Sequence, residues 1–353
     1  MAGNAREWCW NQAGGTPEAR RYILGGSWKE PSYVFTNHND AAFPFDRSPI
    51  NGFRCARYTA PLADSLFAAV ETPSRDYSKE KPVSDDIFRV YRSFYSYDRA
   101  DLEASVQSVD DTPRHWRRET VTFNAAYGNE RVIAHLFLPR DGSPPYQTVI
   151  YFPGAGALYA RSSDELEMMV MDFLLRSGRA VFYPVYEGMY ERHLAPSRRE
   201  TGIPRDRVVC WSKDFGRSID YLETRPDIDR QRLAYYGFSL GGIYGPVLTA
   251  IDGRIKASVQ LGGGFEDGKL PPEIDPLHFA PRAKEPALMV VGRHDFMRPV
   301  ESCQMPMFRL LGAPAKDKRI VLIDTGHVVY PSQPVIKEIL DWLDRYLGPV
   351  KTQ

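Results

Sequence analysis

From about residue 118 onward, short apolar runs alternate with stretches of helical spacing, and no other feature limits the fold of this 353-residue chain as strongly. TVIYFPG (148–154) and RAVFYPV (179–185) are continuous apolar runs closed by Pro or Gly, the pattern of strands buried on both faces. RLAYYGFS (232–239), KASVQLGG (256–263), PALMVVG (286–292) and RIVLIDT (319–325) add four more expected strands. Interleaved with these, SSDELEMMVMDFLLRSG (162–178), VVCWSKDFGRSIDYLETRP (208–226), GGIYGPVLTAID (241–252) and PVIKEILDWLDRYLG (334–348) read as helices bounded by Ser, Gly or Pro. ETVTFNAAYGNERVIAHLFLP (119–139) reads as a hairpin turning at Tyr127–Glu130. Such alternation predicts an α/β fold, a mostly parallel sheet with helices on both faces.

The first 115 residues have a different texture, rich in aromatics, Gly, Pro and Asn with poor periodicity. Segments 20–35 and 51–58 each offer a short strand, 72–86 is polar and proline-bearing like a surface linker, and 87–109 is expected to be partly helical. The expected division is a first unit at residues 1–60, then an extension at 61–117 that packs on a catalytic unit at 118–353.

The chemistry concentrates on Gly237-Phe238-Ser239-Leu240-Gly241. A strand before it and a helix after it make a turn so tight that Gly must flank the serine, which leaves Oγ exposed at the sheet edge. A serine hydroxyl is a weak nucleophile until a base takes its proton. On such a turn the partners follow in the order Ser, acid, His. After Ser239 only His278, His294 and His327 remain: His278 lies in a Pro-rich loop, His294 precedes the best acid, and His327 sits on a loop just beyond a strand, at the sheet edge where such sites gather. Asp295, on the loop after the preceding strand, is the expected acid. Asp324 competes but stands only three residues before His327, where it reads as a strand end. The oxyanion donors are expected to be the amides of Leu240 and Ala155, with Gly156 as the alternative to Ala155. Tyr186 and Tyr190, in YPVYEGMYERH (183–193), are candidate substrate contacts or equally cap packing.

Other chemistries fail on inspection. Gly263–Lys269 (GGFEDGK) approaches a phosphate-binding loop, but Leu270 replaces the Ser or Thr and prolines follow where a helix should start. Lys plus Arg and Asp plus Glu both number 45, so there is no charge footprint for nucleic acid or an anionic membrane. The N-terminus lacks a secretory pattern, and the four scattered cysteines suit a reducing cytoplasm. No cofactor or metal is expected, and the expected partner is a small-molecule ester, with self-association left open.

Residues from about 118 to 347 resemble the α/β-hydrolase superfamily, in its acetyl-xylan-esterase, dienelactone-hydrolase and prolyl-oligopeptidase-like branch. IDRQRLAYYG (228–237), GFSLGG (237–242), VVGRHDFMRP (290–299) and DTGHVV (324–329) carry the resemblance. It implies an α/β-hydrolase fold and serine carboxylesterase chemistry, with Ser239, Asp295 and His327 at the triad positions. Residues from about 3 to 58 resemble the C-terminal tail of a formylglycine-generating (sulfatase-modifying factor) domain, through GNAREW (3–8), RRYILGGSW (20–28) and NGFRCARY (51–58). The cysteine pair of the sulfatase-activating members is missing, so their oxidase activity is not expected. The chain thus reads as a fragment of a longer protein. Two other readings are a peptidase of the same fold, with Glu187 and Glu191 as an acidic patch for a peptide N-terminus, and a non-catalytic binding module of a signalling fusion.

Overall fold

The computed structural model describes residues 3–13, 20–30, 34–35, 40–70, 75–193 and 203–350. The N-terminal part is a small four-stranded sheet built from β1 (Arg6–Gln12), β2 (Arg21–Leu24), β3 (Ala41–Ala42) and β4 (Asn51–Gly52), in the order β3-β2-β1-β4. β2 and β4 fall within the two segments expected to hold strands, but the chain leaves the sheet after Gly52, and residues 53–58 are exposed. β1 has no counterpart among the expected strands.

The linker-like stretch is anchored where it is described. Tyr77 is buried against Phe265 at 4.6 Å and donates its hydroxyl proton to the Glu266 carbonyl at 2.6 Å. Arg75 pairs with Asp275 at 2.6 Å. Helix α1 (Asp85–Ser93) follows, with Ser84 accepting from the Ile87 amide at its start and two acidic residues in its first turn. Phe88 is its buried contact with the core. The remainder of 87–109 turns to β5 (Ser105–Asp110), an exposed edge strand.

β5 begins a nine-stranded sheet. β6 (Trp116–Asn124) and β7 (Arg131–Pro139) form the expected hairpin, and β7 runs antiparallel to β9 (Ala180–Val185). The other five strands are β8 (Tyr146–Phe152), β10 (Ile228–Phe238), β11 (Ala257–Leu261), β12 (Ala287–Gly292) and β13 (Lys318–Ile323). Their order is β13-β12-β11-β10-β8-β9-β7-β6-β5, parallel from β13 to β9. Strands β9, β11 and β12 are buried along their whole length because helices cover both faces.

On one face lie α3 (Arg205–Thr224) and α4 (Leu240–Ile251). Phe215 of α3 meets Tyr235 edge-on, and Trp211 packs between Phe152 and Tyr244. On the other face, Phe173 of the short α2 (Asp172–Arg176) packs on Tyr236. Two short helices, α5 (Pro276–Phe279) and α6 (Met305–Leu310), flank β12 in sequence. The last helix, α7 (Gln333–Leu347), buries Val335, Ile339, Trp342, Leu343 and Leu347, one apolar stripe of a 3.6-residue period. It ends at Gly348, whose φ of 82° stops the turn.

The continuous helix expected over 162–178 is not formed. Two 3-10 turns, Ser163–Glu165 and Met168–Val170, precede α2. The cause is polar side chains that turn inward. The amide and hydroxyl of Ser163 both donate to Glu191, at 2.6 and 2.8 Å, and Glu167 faces the end of β8. A helical path would carry these groups off their partners.

Candidate active site

β10 delivers the chain into Gly237-Phe238-Ser239, and α4 leaves at Leu240. Ser239 has φ 50° and ψ −101°, a costly backbone for a residue with a Cβ. Its amide donates to the Leu261 carbonyl at 2.7 Å, and its carbonyl accepts from Ile243 at 2.9 Å, which holds the strained turn in place. The flanking glycines are required by space. A Cβ on Gly237 would strike the Gly241 carbonyl, and one on Gly241 would strike the Phe152 carbonyl oxygen.

Three of the residues singled out in the sequence meet. Ser239 Oγ lies 2.7 Å from His327 Nε2, and His327 Nδ1 lies 2.9 Å from Asp295 Oδ2. All three are buried. Asp295 Oδ1 accepts the amides of Met297 and Arg298 at 2.9 and 2.8 Å, and Gln304 donates to Oδ2 at 3.0 Å. Because the carboxylate can only accept, Nδ1 carries the proton and Nε2 presents its lone pair to the serine. That is the hydrogen-bond order a base-activated hydroxyl requires.

The competing residues take no part in this series. Asp324 bonds His294 at 2.7 Å on the surface, and His278 Nδ1 accepts the Val83 amide at 3.3 Å.

The loop after β8 comes up beside the serine. Gly241 donates its amide to Pro153 O at 3.2 Å, and a Cβ on Gly154 would lie 3.0 Å from the Phe238 ring. Ala155 opens a 3-10 turn, and Leu240 opens α4. Amides at the first turn of a helix have no acceptor within it, so both expected donors stand at helix starts next to Ser239. Gly156 is the second residue of the same 3-10 turn.

The structure does not bring Tyr186 and Tyr190 to the site. Both are buried. The Tyr186 hydroxyl donates to Tyr151 O at 3.2 Å, its ring packs at a tilt on Phe152 with centroids 4.2 Å apart, and the Tyr190 hydroxyl meets that of Tyr183 at 2.8 Å. Both belong to the hydrophobic core, against Phe152 and Tyr183. Glu187 and Glu191 form no open acidic patch either, since Glu187 faces Arg207 at 3.3 Å and Glu191 holds Ser163.

Sequence reasoning missed Gln304 and Glu167. The Glu167 carboxylate sits behind the Gly154 turn, accepting the Tyr151 hydroxyl at 2.6 Å and the Gly154 amide at 3.2 Å. Burial raises its pKa, opposed by those two hydrogen bonds. The glycine run that approached a phosphate loop has a packing role. Its first residue, Gly263, passes against Gly242, and a Cβ on the preceding Gly262 would lie 2.9 Å from the His327 carbonyl oxygen.

No family model matches the chain. Among curated proteins, "Putative hydrolase YtaP" of Bacillus subtilis (strain 168) is 26% identical over 149 residues, 38% of this chain and 49% of that protein. The thiohydrolase apmlB of Arthrinium phaeospermum is 32% identical over 65 residues, 18% of this chain and 21% of that protein. The chain thus spans less than half the length of either relative. Among solved structures, an acetyl xylan esterase from Paenibacillus sp. R4 superimposes with a TM-score of 0.59 at 18% identity, covering 77% of this chain and 98% of that one. Acetyl xylan esterase 1 from Thermoanaerobacterium sp. JW/SL YS485 gives 0.59 at 15% identity, over 75% and 94%. The chain has the α/β-hydrolase fold. In this α/β-hydrolase fold, Ser239, Asp295 and His327 follow the ends of β10, β12 and β13, at the carboxyl edge of the parallel strands.

A cavity of about 700 Å³ opens beside His327. One wall comes from the loops after β12 and β13, the other from the N-terminal sheet and its connections.

Proposed function

We propose that the chain is a serine carboxylesterase that hydrolyses small-to-medium carboxylic esters through an acyl-enzyme on Ser239. The observation that carries this reading is the hydrogen-bonded series from Ser239 through His327 to Asp295, at 2.7 and 2.9 Å. His327 takes the serine proton as Oγ attacks the ester carbonyl, and the amides of Ala155 and Leu240 receive the oxyanion. The tetrahedral intermediate collapses, the alcohol leaves with the proton from His327, and water activated by the same base then releases the acid. These steps run on the chain's own groups. The names of its structural neighbours, acetyl xylan esterases among them, support an ester as substrate.

The N-terminal resemblance to a formylglycine-generating domain adds no chemistry in this reading. Among the described residues, no helix is long and apolar enough to cross a membrane, and all four cysteines are unpaired. We place the protein in the cytoplasm on the second of these grounds.

The deciding experiment is hydrolysis of p-nitrophenyl acetate, butyrate and octanoate by the chain and by Ser239→Ala. Turnover should fall by at least ~10³-fold in the variant. Undiminished turnover there, or none in the parent, would sink the reading.

A further inference from the structure

We infer that the N-terminal sheet builds the pocket for the alcohol half of the ester, and that this pocket selects bulky, neutral, apolar alcohols. The inference rests on the esterase reading above.

The path of the protons fixes where the alcohol must lie. As the Ser239 Oγ–acyl bond forms, His327 Nε2 takes the serine proton. As the bond between the acyl carbon and the alcohol oxygen breaks, the electron pair stays on that oxygen, and Nε2 returns the proton to it. A neutral alcohol leaves. Its oxygen must therefore come within about 3 Å of Nε2, and the rest of the alcohol continues past the imidazole. The acyl carbonyl points the other way, toward the amides of Ala155 and Leu240. The cavity beside His327 lies on the alcohol side. His327 lines it together with the loops after β12 and β13, whereas Ser239, Ala155 and Leu240 lie outside its lining.

Its walls state what it accepts. Val34, Phe43 and Ile50 of the N-terminal part and Phe296, Met297 and Val328 of the site loops are all apolar. Three cations, Arg6, Arg20 and Lys29, are matched by three carboxylates, Glu30, Asp46 and Asp324, so the lining carries no net charge. A pocket of about 700 Å³ with this character suits a drug-sized neutral group with one or two rings.

The wall is fixed in place. Arg6 bonds Glu30 at 2.9 Å and pairs with Asp40 at 3.2 Å, and its guanidinium stands 5.4 Å over the ring of Phe296, the residue after Asp295. Phe43 meets the His294 ring edge-on at 5.7 Å. The N-terminal sheet is thereby tied to the loop that carries the acid.

The test uses the full chain and one acyl group. Acetate esters of methanol, benzyl alcohol and 1-naphthylmethanol are compared by acid release, in the parent, in Ile50→Trp, which fills the pocket, and in Phe43→Ala, which removes its aromatic wall. All three esters pass through the same acetyl-enzyme, so the alcohol preference reads out in kcat/KM. The ratio of naphthylmethyl to methyl acetate also cancels any enzyme lost to misfolding. We expect the parent to favour the naphthylmethyl ester at least tenfold, and each variant to lower that ratio at least tenfold. A ratio unchanged within threefold in both variants overturns the inference. So does a shift confined to the p-nitrophenyl acyl series, which would make the cavity the acyl site. If no ester is turned over and a phosphonate fails to label Ser239, the esterase reading itself falls, an outcome distinct from the other two.

Discussion

One oxygen of Asp295 serves two donors, His327 Nδ1 at 2.9 Å and Gln304 Nε2 at 3.0 Å, while the other is held by the amides of Met297 and Arg298. This division predicts the consequence of Asp295→Asn. Two backbone N–H groups demand an acceptor at the Oδ1 position, so the asparagine carbonyl must sit there and its NH₂ must face His327 and Gln304. Nδ1 then becomes an acceptor, the imidazole proton moves to Nε2, and the base loses the lone pair that Ser239 needs. The variant should lose about 10³ to 10⁴ in kcat on p-nitrophenyl acetate. A loss under tenfold would show that Asp295 does not set the tautomer.

Glu167 is a positioning residue for the loop after β8. It touches no reacting atom, yet its carboxylate joins the Tyr151 hydroxyl to the Gly154 amide, one residue before the expected oxyanion donor Ala155. Glu167→Ala releases that turn, and an ångström of drift in a donor costs on the order of 10- to 100-fold. The loss should fall on kcat with KM within about threefold, because the donor acts on charge that develops in the transition state. Glu167→Gln should recover most of the rate, since its carbonyl oxygen can accept both bonds. Parental rates in Glu167→Ala would mean the loop holds itself. Equal losses in both variants would mean the anionic charge matters rather than the acceptor.

The pattern that located Ser239, Asp295 and His327 is local. Each stands just after a short apolar strand, and a strand followed by a glycine-bearing turn is visible within ten residues of sequence. What escaped is what depends on partners elsewhere in the chain. Gln304 matters because a turn after Pro299 swings it onto Asp295, and Glu167 because residues 151 and 154 lie beneath it. The segment 162–178 has helical spacing, but two inward polar contacts outweigh a propensity worth a few tenths of a kcal/mol per residue. Tyr186 and Tyr190 failed for a related reason. Aromatics after a strand look alike whether they overhang a cleft or are sandwiched in the core, and only the packing of Phe152 and Tyr183 against them decides. β1 and β5 were hidden because mostly unburied strands carry no clean alternation of apolar and polar residues.

Glu285, just ahead of β12, gives a test of pH dependence away from the site. Burial, opposed by the nearby Thr249 hydroxyl and its own backbone amide, pushes its carboxyl up from 4.5 to about 7. Below the unfolded value both states are protonated, and the favourable contribution of the neutral acid is fully present. Between about 4.5 and 7 the unfolded chain ionises while the folded protein holds its proton, so stability falls as pH rises. Above about 7 the folded state has ionised too, and the loss is complete. Glu285→Gln removes the titration and keeps the shape. Given about 1.4 kcal/mol per pKa unit and some residual hydration, the variant should gain on the order of 1–2 kcal/mol at pH 8 and almost nothing at pH 4.5. Urea unfolding at the two pH values measures the difference. A gain of equal size at both would assign it to packing rather than to the proton, and a loss at pH 8 would show that the charged carboxylate is the form the fold prefers.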